Sequence, residues 1–168
     1  MIQWKYFPTN RMLPETFQSL LHVFQKNEAS ISSDSFEYSS DEVLRVLRND
    51  LLAIGFDVEK SKAKADKIRV PVLFGEQGKE DLAFEADGYW AENEMVLEVE
   101  AGRAVVNYQF LKDFFQACMM YNVRYLCIAV RKTYRNGKDY EKVCRFFDAM
   151  YSSNRIQTQL EGILIVGY

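Results

Sequence analysis

The sequence predicts a single α/β domain built on a mixed central β-sheet flanked by helices. Three observations lead there. Helical stretches of amphipathic spacing alternate with short strand-like runs. Val123 to Val130 (VRYLCIAV) has a nearly continuous apolar middle, as in a central strand covered on both faces. Leu82 to Trp90 and Met95 to Glu100 each alternate with period two, the mark of a half-buried hairpin.

The elements follow in order. Pro14 to Lys26 begins with a proline suited to a helix start and carries Phe17, Leu20, Leu21 and Phe24 at helical spacing. Asn27 to Ser40 is rich in Ser, Asp and Glu and reads as a loop, with Ser40 as the cap of the next helix. That helix, Asp41 to Ile54, presents Val43, Leu44, Leu47, Leu51 and Ile54 on one side and stops before Gly55. A short extended stretch, Phe56 to Glu59, precedes the charged run Lys60 to Lys67 and the strand Ile68 to Phe74. GEQGKE, residues 75 to 80, turns the chain into the hairpin. Ala104 to Tyr121 reads as a largely buried helix with Gln109, Lys112, Asp113 and Gln116 on its polar edge. The strand that follows it should pair parallel with the one before it, because a helix between two strands makes a crossover. Asn136-Gly137 marks a loop, Asp139 to Ser152 a helix, and Gly162 to Tyr168 a last strand. A core over about 41–131, a helix at 14–26 and a helix and strand over 139–168 make up the expected domain of 1–168.

The hairpin carries the chemistry. With Glu92 and Asn93 at the tip of its loop, Trp90 pairs with Met95, Gly88 with Leu97, and Asp87 lies opposite Glu98, with Glu85 facing Glu100. Phe84, Ala86, Trp90, Met95, Leu97 and Val99 then share the apolar face. Like charges directly opposed across two strands destabilise the pair, since their Cβ atoms are only about 5 Å apart. A divalent cation would turn that liability into a site. A solvated strand face gives the same alternation, but it would more often mix Lys, Thr and Ser with its acids.

Composition narrows the classes. At 168 residues, 48% hydrophobic, with 12 Phe and 10 Tyr, the chain can bury a substantial core, which excludes disorder. No run approaches the roughly 20 apolar residues of a membrane span, so a cytoplasmic protein without membrane attachment is expected. Cys118, Cys127 and Cys144 lie among apolar neighbours without paired spacing and read as buried thiols. His22 is the only histidine, which excludes a histidine-based triad or a multi-histidine metal site. A net charge of −3 means that any nucleic-acid partner must meet a local basic patch.

Asp87 followed, after ten residues, by Glu98-Val99-Glu100 at the end of the next strand resembles the PD-(D/E)XK nuclease superfamily. The expected helix, three strands, helix and strand from Asp41 to Val130 resemble that superfamily's αβββαβ core, the restriction-endonuclease-like fold. The resemblance implies a metal-dependent endonuclease hydrolysing DNA phosphodiester bonds, with Asp87 and Glu98 as ligands of a divalent metal. Ala86 stands where the motif has Pro, and Glu100 where it usually has Lys. The latter resembles the Glu-x-Glu variant of BamHI-type type II restriction enzymes. An acid on the first core helix often completes such sites, which makes Glu42 a candidate, with Asp41 and Asp50 competing.

Chemistry independent of the resemblance agrees. Oxygen-only ligands suit Mg²⁺ or Mn²⁺, whereas zinc would normally take His or Cys. Glu100, on the same face as Glu98 and about 6 to 7 Å along the strand, would orient or deprotonate a water, or share a second ion. Candidate phosphate contacts are Lys60, Lys62, Lys64, Lys67 and Arg69, then Arg131, Lys132, Arg135 and Lys138. Arg103, after Gly102 at the expected start of a helix, is the best placed of the cations. Double-strand cutting would ask for a homodimer. The rival readings are a non-catalytic nucleic-acid-binding or protein-interaction module on the same fold, and a metal-free carboxylate-pair hydrolase.

Overall fold

The computed structural model describes residues 1–61, 63–135 and 137–168. A six-stranded mixed sheet runs through it in the order β1 (Gln3–Phe7), β8 (Gly162–Gly167), β7 (Tyr125–Val130), β6 (Met95–Glu100), β5 (Gly88–Trp90), β2 (Asp57–Val58). The central strands β6, β7 and β8 are parallel, and β1, β5 and β2 join antiparallel. A separate two-stranded arm pairs β3 (Ile68–Phe74) with β4 (Glu80–Ala86).

Side chains alternate along each central strand, so the sheet has two apolar faces and needs helices on both. Met95, Leu97 and Val99 of β6, with Cys127, Ala129, Leu164 and Val166, share one core with α1 (Glu15–Lys26) and α3 (Ser40–Ala53). Val96, Leu126, Ile128, Val130, Ile163 and Ile165 share the other with α4 (Gln109–Met119) and α5 (Asp139–Ser153). Among the described residues, no helix is long and apolar enough to cross a membrane.

Several boundaries depart from the sequence reading. β1 was not expected, and a single helical turn, α2 (Glu28–Ile31), interrupts the expected loop over 27–40. The α3 cap is Ser39 rather than Ser40, and Glu42 completes a capping box with it. The expected helix from Ala104 begins only at Gln109, because Tyr108 adopts a left-handed φ of 51° that ends the preceding turn. The loop joining β5 to β6 is a single 3-10 turn, Ala91–Asn93, followed by Glu94 at a left-handed φ of 52°, yet it delivers the expected register of Trp90 with Met95 and Gly88 with Leu97.

The largest correction concerns the hairpin. The alternating run Leu82 to Trp90 is two strands, broken at Asp87. Its first half leaves the central sheet and pairs with β3, so Glu85 lies opposite Arg69 rather than Glu100. Phe84 and Ala86 accordingly join the core under α4 and α5, while Trp90 joins the one under α1 and α3. The Asn136 of the expected loop lies outside the described residues.

Candidate active site

The break at Asp87 creates the site. With no ladder partner directly across from it, the Asp87 side chain turns to the neighbouring strand, where its Oδ2 accepts a 2.8 Å hydrogen bond from the Val99 backbone N–H. The Asp87 carbonyl accepts from the Glu59 N–H at 2.9 Å, so the residue is fixed from both sides. Glu98 and Glu100 leave β6 on the face opposite Leu97 and Val99, toward α4. Beyond β6 the chain is tied to α3 by the Ala101 N–H, which donates to Ser40 Oγ at 3.1 Å.

A fourth acid closes the group. Asp113, assigned from the sequence to the polar edge of its helix, is buried at 2% exposure and lines the same cleft of about 210 Å³ as Asp87, Glu98 and Glu100. Its Oδ2 reaches no hydrogen-bond partner among the described residues. A signal for it existed. Phe110, Asp113, Phe114 and Ala117 follow the spacing i, i+3, i+4, i+7 of a buried helical stripe, so an acid stood in the apolar face.

The cleft also contains cations that the strands themselves lack. Lys112 Nζ lies 3.4 Å from Asp113 Oδ1, and Lys67, which is 2.8 Å from Glu59 and 3.5 Å from Glu85, forms part of the opposite wall. These do not balance the acids. Burial, then the charges of Asp87 and Asp113, push the Glu98 carboxyl well above its usual range. Burial and Asp113 push Glu100 up to about 8. Burial raises Asp113 as well, against the pull of Lys112. Burial works against the Lys112 ammonium, but Asp113, Glu98 and Glu100 outweigh it and hold its pKa up.

The donor set suits a hard divalent cation in chemistry, being all oxygen and starved of compensating charge. Its geometry is less complete. Among the described residues no group of three or more His, Cys, Asp or Glu side chains is placed to hold a metal ion. Mg²⁺ is commonly held by one or two carboxylates with water filling the rest, which is the arrangement this cleft can offer.

Of the remaining candidates, Glu42, Arg103 and Arg131 line an adjoining cleft that Glu100 also borders. Glu42 stands outside the acid cleft, and its Oε2 accepts from Ser39 N at 2.8 Å and Ser39 Oγ at 2.9 Å in the capping box. Those contacts hold its carboxyl below the usual range. Arg103 is exposed beside Glu100 in an adjoining cleft of about 540 Å³, but it precedes α4 by a turn and does not sit at that helix's N-terminus. Arg131, buried in the same cleft, donates to the Tyr38 carbonyl and lies over the Tyr134 ring at 5.2 Å. Lys132 is bound to Asp34 at 2.6 Å. Lys64 is exposed on the 3-10 turn Lys64–Asp66, and Lys62 lies outside the described residues. Among the described residues all three cysteines are free thiols; Cys127 and Cys144 are buried as expected and Cys118 half-buried.

The fold has parallels among solved structures. Over 99% of its length the chain is similar to free BglII, covering 78% of that chain at 11% identity and a TM-score of 0.52. It is likewise similar to the restriction endonuclease BglII complexed with a DNA 16-mer, covering 77% of that chain at 12% identity and a TM-score of 0.54. The chain therefore has a restriction-endonuclease-like fold, a mixed sheet flanked by helices. No protein-family model and no curated protein matches it.

Proposed function

We propose that the chain is a Mg²⁺- or Mn²⁺-dependent endonuclease that hydrolyses DNA phosphodiester bonds, of restriction-endonuclease type. The observation that supports it is the convergence of Asp87, Glu98, Glu100 and Asp113 on one cleft at the end of the hairpin, within a fold shared with BglII. A bound divalent cation would neutralise charge on the phosphate and render a water nucleophilic. Asp87 and Glu98 would hold it, as in the Asp and second acid of the PD-(D/E)XK motif. Asp87 is oriented for this by Val99, and Glu98 by its place in the middle of the parallel pair β6 and β7. Glu100, on the same face as Glu98 and bordering the adjoining cleft, would orient or deprotonate the attacking water, or share a second ion. Asp113 and Lys112 hold the charge of the cleft in place. The DNA backbone would pass Arg103 and Arg131, with Lys64 and Lys132 as further contacts, and the assembly would be a homodimer.

A non-catalytic nucleic-acid-binding or interaction module on the same fold is the second reading, and it draws on the absence, among the described residues, of a three-acid arrangement placed to hold a metal. Calorimetric titration of Mg²⁺ and Mn²⁺ into the wild type and Glu98→Gln, with plasmid cleavage on the same samples, separates the two. Binding and cleavage that both vanish in Glu98→Gln support the nuclease. A wild type that binds neither ion, with or without DNA, selects the module.

A further inference from the structure

The cleft of about 540 Å³ beside the acid site is lined by groups of both signs, with Glu37 in the same wall as Arg103 and Arg131. Glu37 and Arg103 are exposed, and among the described residues neither side chain forms a hydrogen bond or an ion pair, with the other or with any third group. Glu42 of the same lining is engaged by Ser39 in its capping box. The segment that carries Glu37 is fixed on both sides of it. The rings of Phe36 and Tyr38 stack at 4.7 Å and 10°, and the Phe36 N–H donates to the Ser32 carbonyl at 2.9 Å. The Tyr38 carbonyl accepts from Arg131, which is buried at 7% exposure. Glu37 is therefore held at a set place relative to Arg131 rather than carried on a loose loop.

A carboxylate at that place is at odds with a phosphate backbone, which brings negative charge and acceptors. What DNA can offer it is the amino groups of the bases. On the reading that the neighbouring cleft is a nuclease centre and that Arg103 and Arg131 meet the backbone, Glu37 faces the nucleotides beside the cut. We propose that Glu37 reads base identity there, accepting a hydrogen bond from the N4 amino group of a cytosine. In the major groove cytosine shows a donor alone, whereas adenine shows its N6 donor beside the N7 acceptor. A carboxylate, which only accepts, matches the first and is opposed by half of the second. Guanine and thymine present acceptors there and are rejected. Glu37 is thus a specificity-determining residue rather than a catalytic one. Its role differs from that of the neighbouring arginines, since a phosphate contact carries no sequence information.

The test is selection of bound duplexes from a randomised DNA pool by the full chain in Ca²⁺, followed by affinities for the selected sequence and its single-base changes at one salt concentration. The expected result is a cytosine favoured over thymine by about tenfold at one position in the wild type. Glu37→Ala should lose that preference, and Glu37→Gln should move it toward adenine, whose N6 and N7 an amide matches in both directions. Arg103→Ala, a change at the backbone contact, should weaken all sequences alike and lower the salt slope by about 1 while the cytosine preference stays. A base preference that both Glu37 variants leave unchanged overturns the proposal, as does a wild type that binds DNA without preference or not at all. Plasmid cleavage in Mg²⁺ by the same preparations judges the nuclease reading separately. Cleavage with selectivity unchanged in Glu37→Gln removes the base reading and keeps the nuclease, whereas a Glu37-dependent preference in a chain that never cuts does the reverse.

Discussion

Asp87 Oδ2 accepts the backbone N–H of Val99 at 2.8 Å, a side-chain bond standing where a ladder bond would otherwise join two strands. Val99 is 2% exposed, so its N–H has no ready replacement in water. Asp87→Asn keeps an oxygen acceptor in the same place, and should retain stability while abolishing cleavage. Asp87→Ala leaves the N–H unpaired and should cost about 1 to 3 kcal/mol. Chemical denaturation of both variants beside a cleavage assay checks the contrast. Equal stability of the two would show that the bond does not hold the strands.

The acids should make the metal-free protein sensitive to pH in an unusual direction. Glu98, Glu100 and Asp113 all have folded-state pKa values raised above their unfolded ones, so the folded chain holds more protons than the unfolded chain in between. Their contribution is present below the unfolded values and is lost as pH rises. For Glu100 the window runs from 4.5 to about 8. Thermal melts in chelator should therefore fall in midpoint across that range. Glu100→Gln should flatten the fall and gain on the order of 4 kcal/mol over wild type at pH 8. A parallel pair of curves would mean that Glu100 is not charged at the cost inferred from its burial.

Much of the fold was legible because its signals are local. The register of Trp90 with Met95 follows from strand alternation and a short connection, and the buried strand β7 from its run of apolar residues. The break at Asp87 was not legible. Alternation continues without interruption from Leu82 to Trp90, and only the choice of β3 as a partner tells the two halves apart, which is a long-range decision. Asp87, Glu98 and Glu100 line one cleft all the same, because the register of Gly88 with Leu97 holds the break beside the middle of β6. Asp113 could have been read, as its position in the Phe110, Phe114, Ala117 stripe is a local signal. β1, a short edge strand, owes its place to pairing with β8 at the far end of the chain.

Lys112 tests the charge balance from the other side. Its ammonium lies 3.4 Å from Asp113 and is supported by Glu98 and Glu100, so its removal should matter only when those acids are ionised. Because the Lys112 side chain is 56% exposed and screened by solvent, Lys112→Met should destabilise the metal-free protein by no more than about 1 kcal/mol at pH 8 and by less at pH 5. It should also tighten Mg²⁺ binding severalfold, because a divalent cation would no longer compete with a fixed positive charge. Denaturant melts at the two pH values and calorimetry give both readouts, and a loss of stability independent of pH would reduce Lys112 to a packing role.

Gly102 supports the cation-rich side of the site through shape alone. Its φ of +90° is one that side chains rarely adopt, and a Cβ built on it would stand 2.5 Å from Cε2 of Tyr134. That ring in turn carries the guanidinium groups of Arg131 and Arg135, each 5.2 Å from its centre. Gly102→Ala thus combines backbone strain with displacement of the ring, and should lower stability by about 1 to 3 kcal/mol. Adding Tyr134→Ala removes the collision but leaves the strain, so the double variant should recover only part of the loss relative to Tyr134→Ala alone. DNA affinity measured in Ca²⁺ should fall in Gly102→Ala and in Tyr134→Ala to a similar extent, if the ring is what holds Arg131 toward the backbone of the nucleic acid. Unchanged affinity in both would confine the ring and its two arginines to the packing of the 131–135 loop.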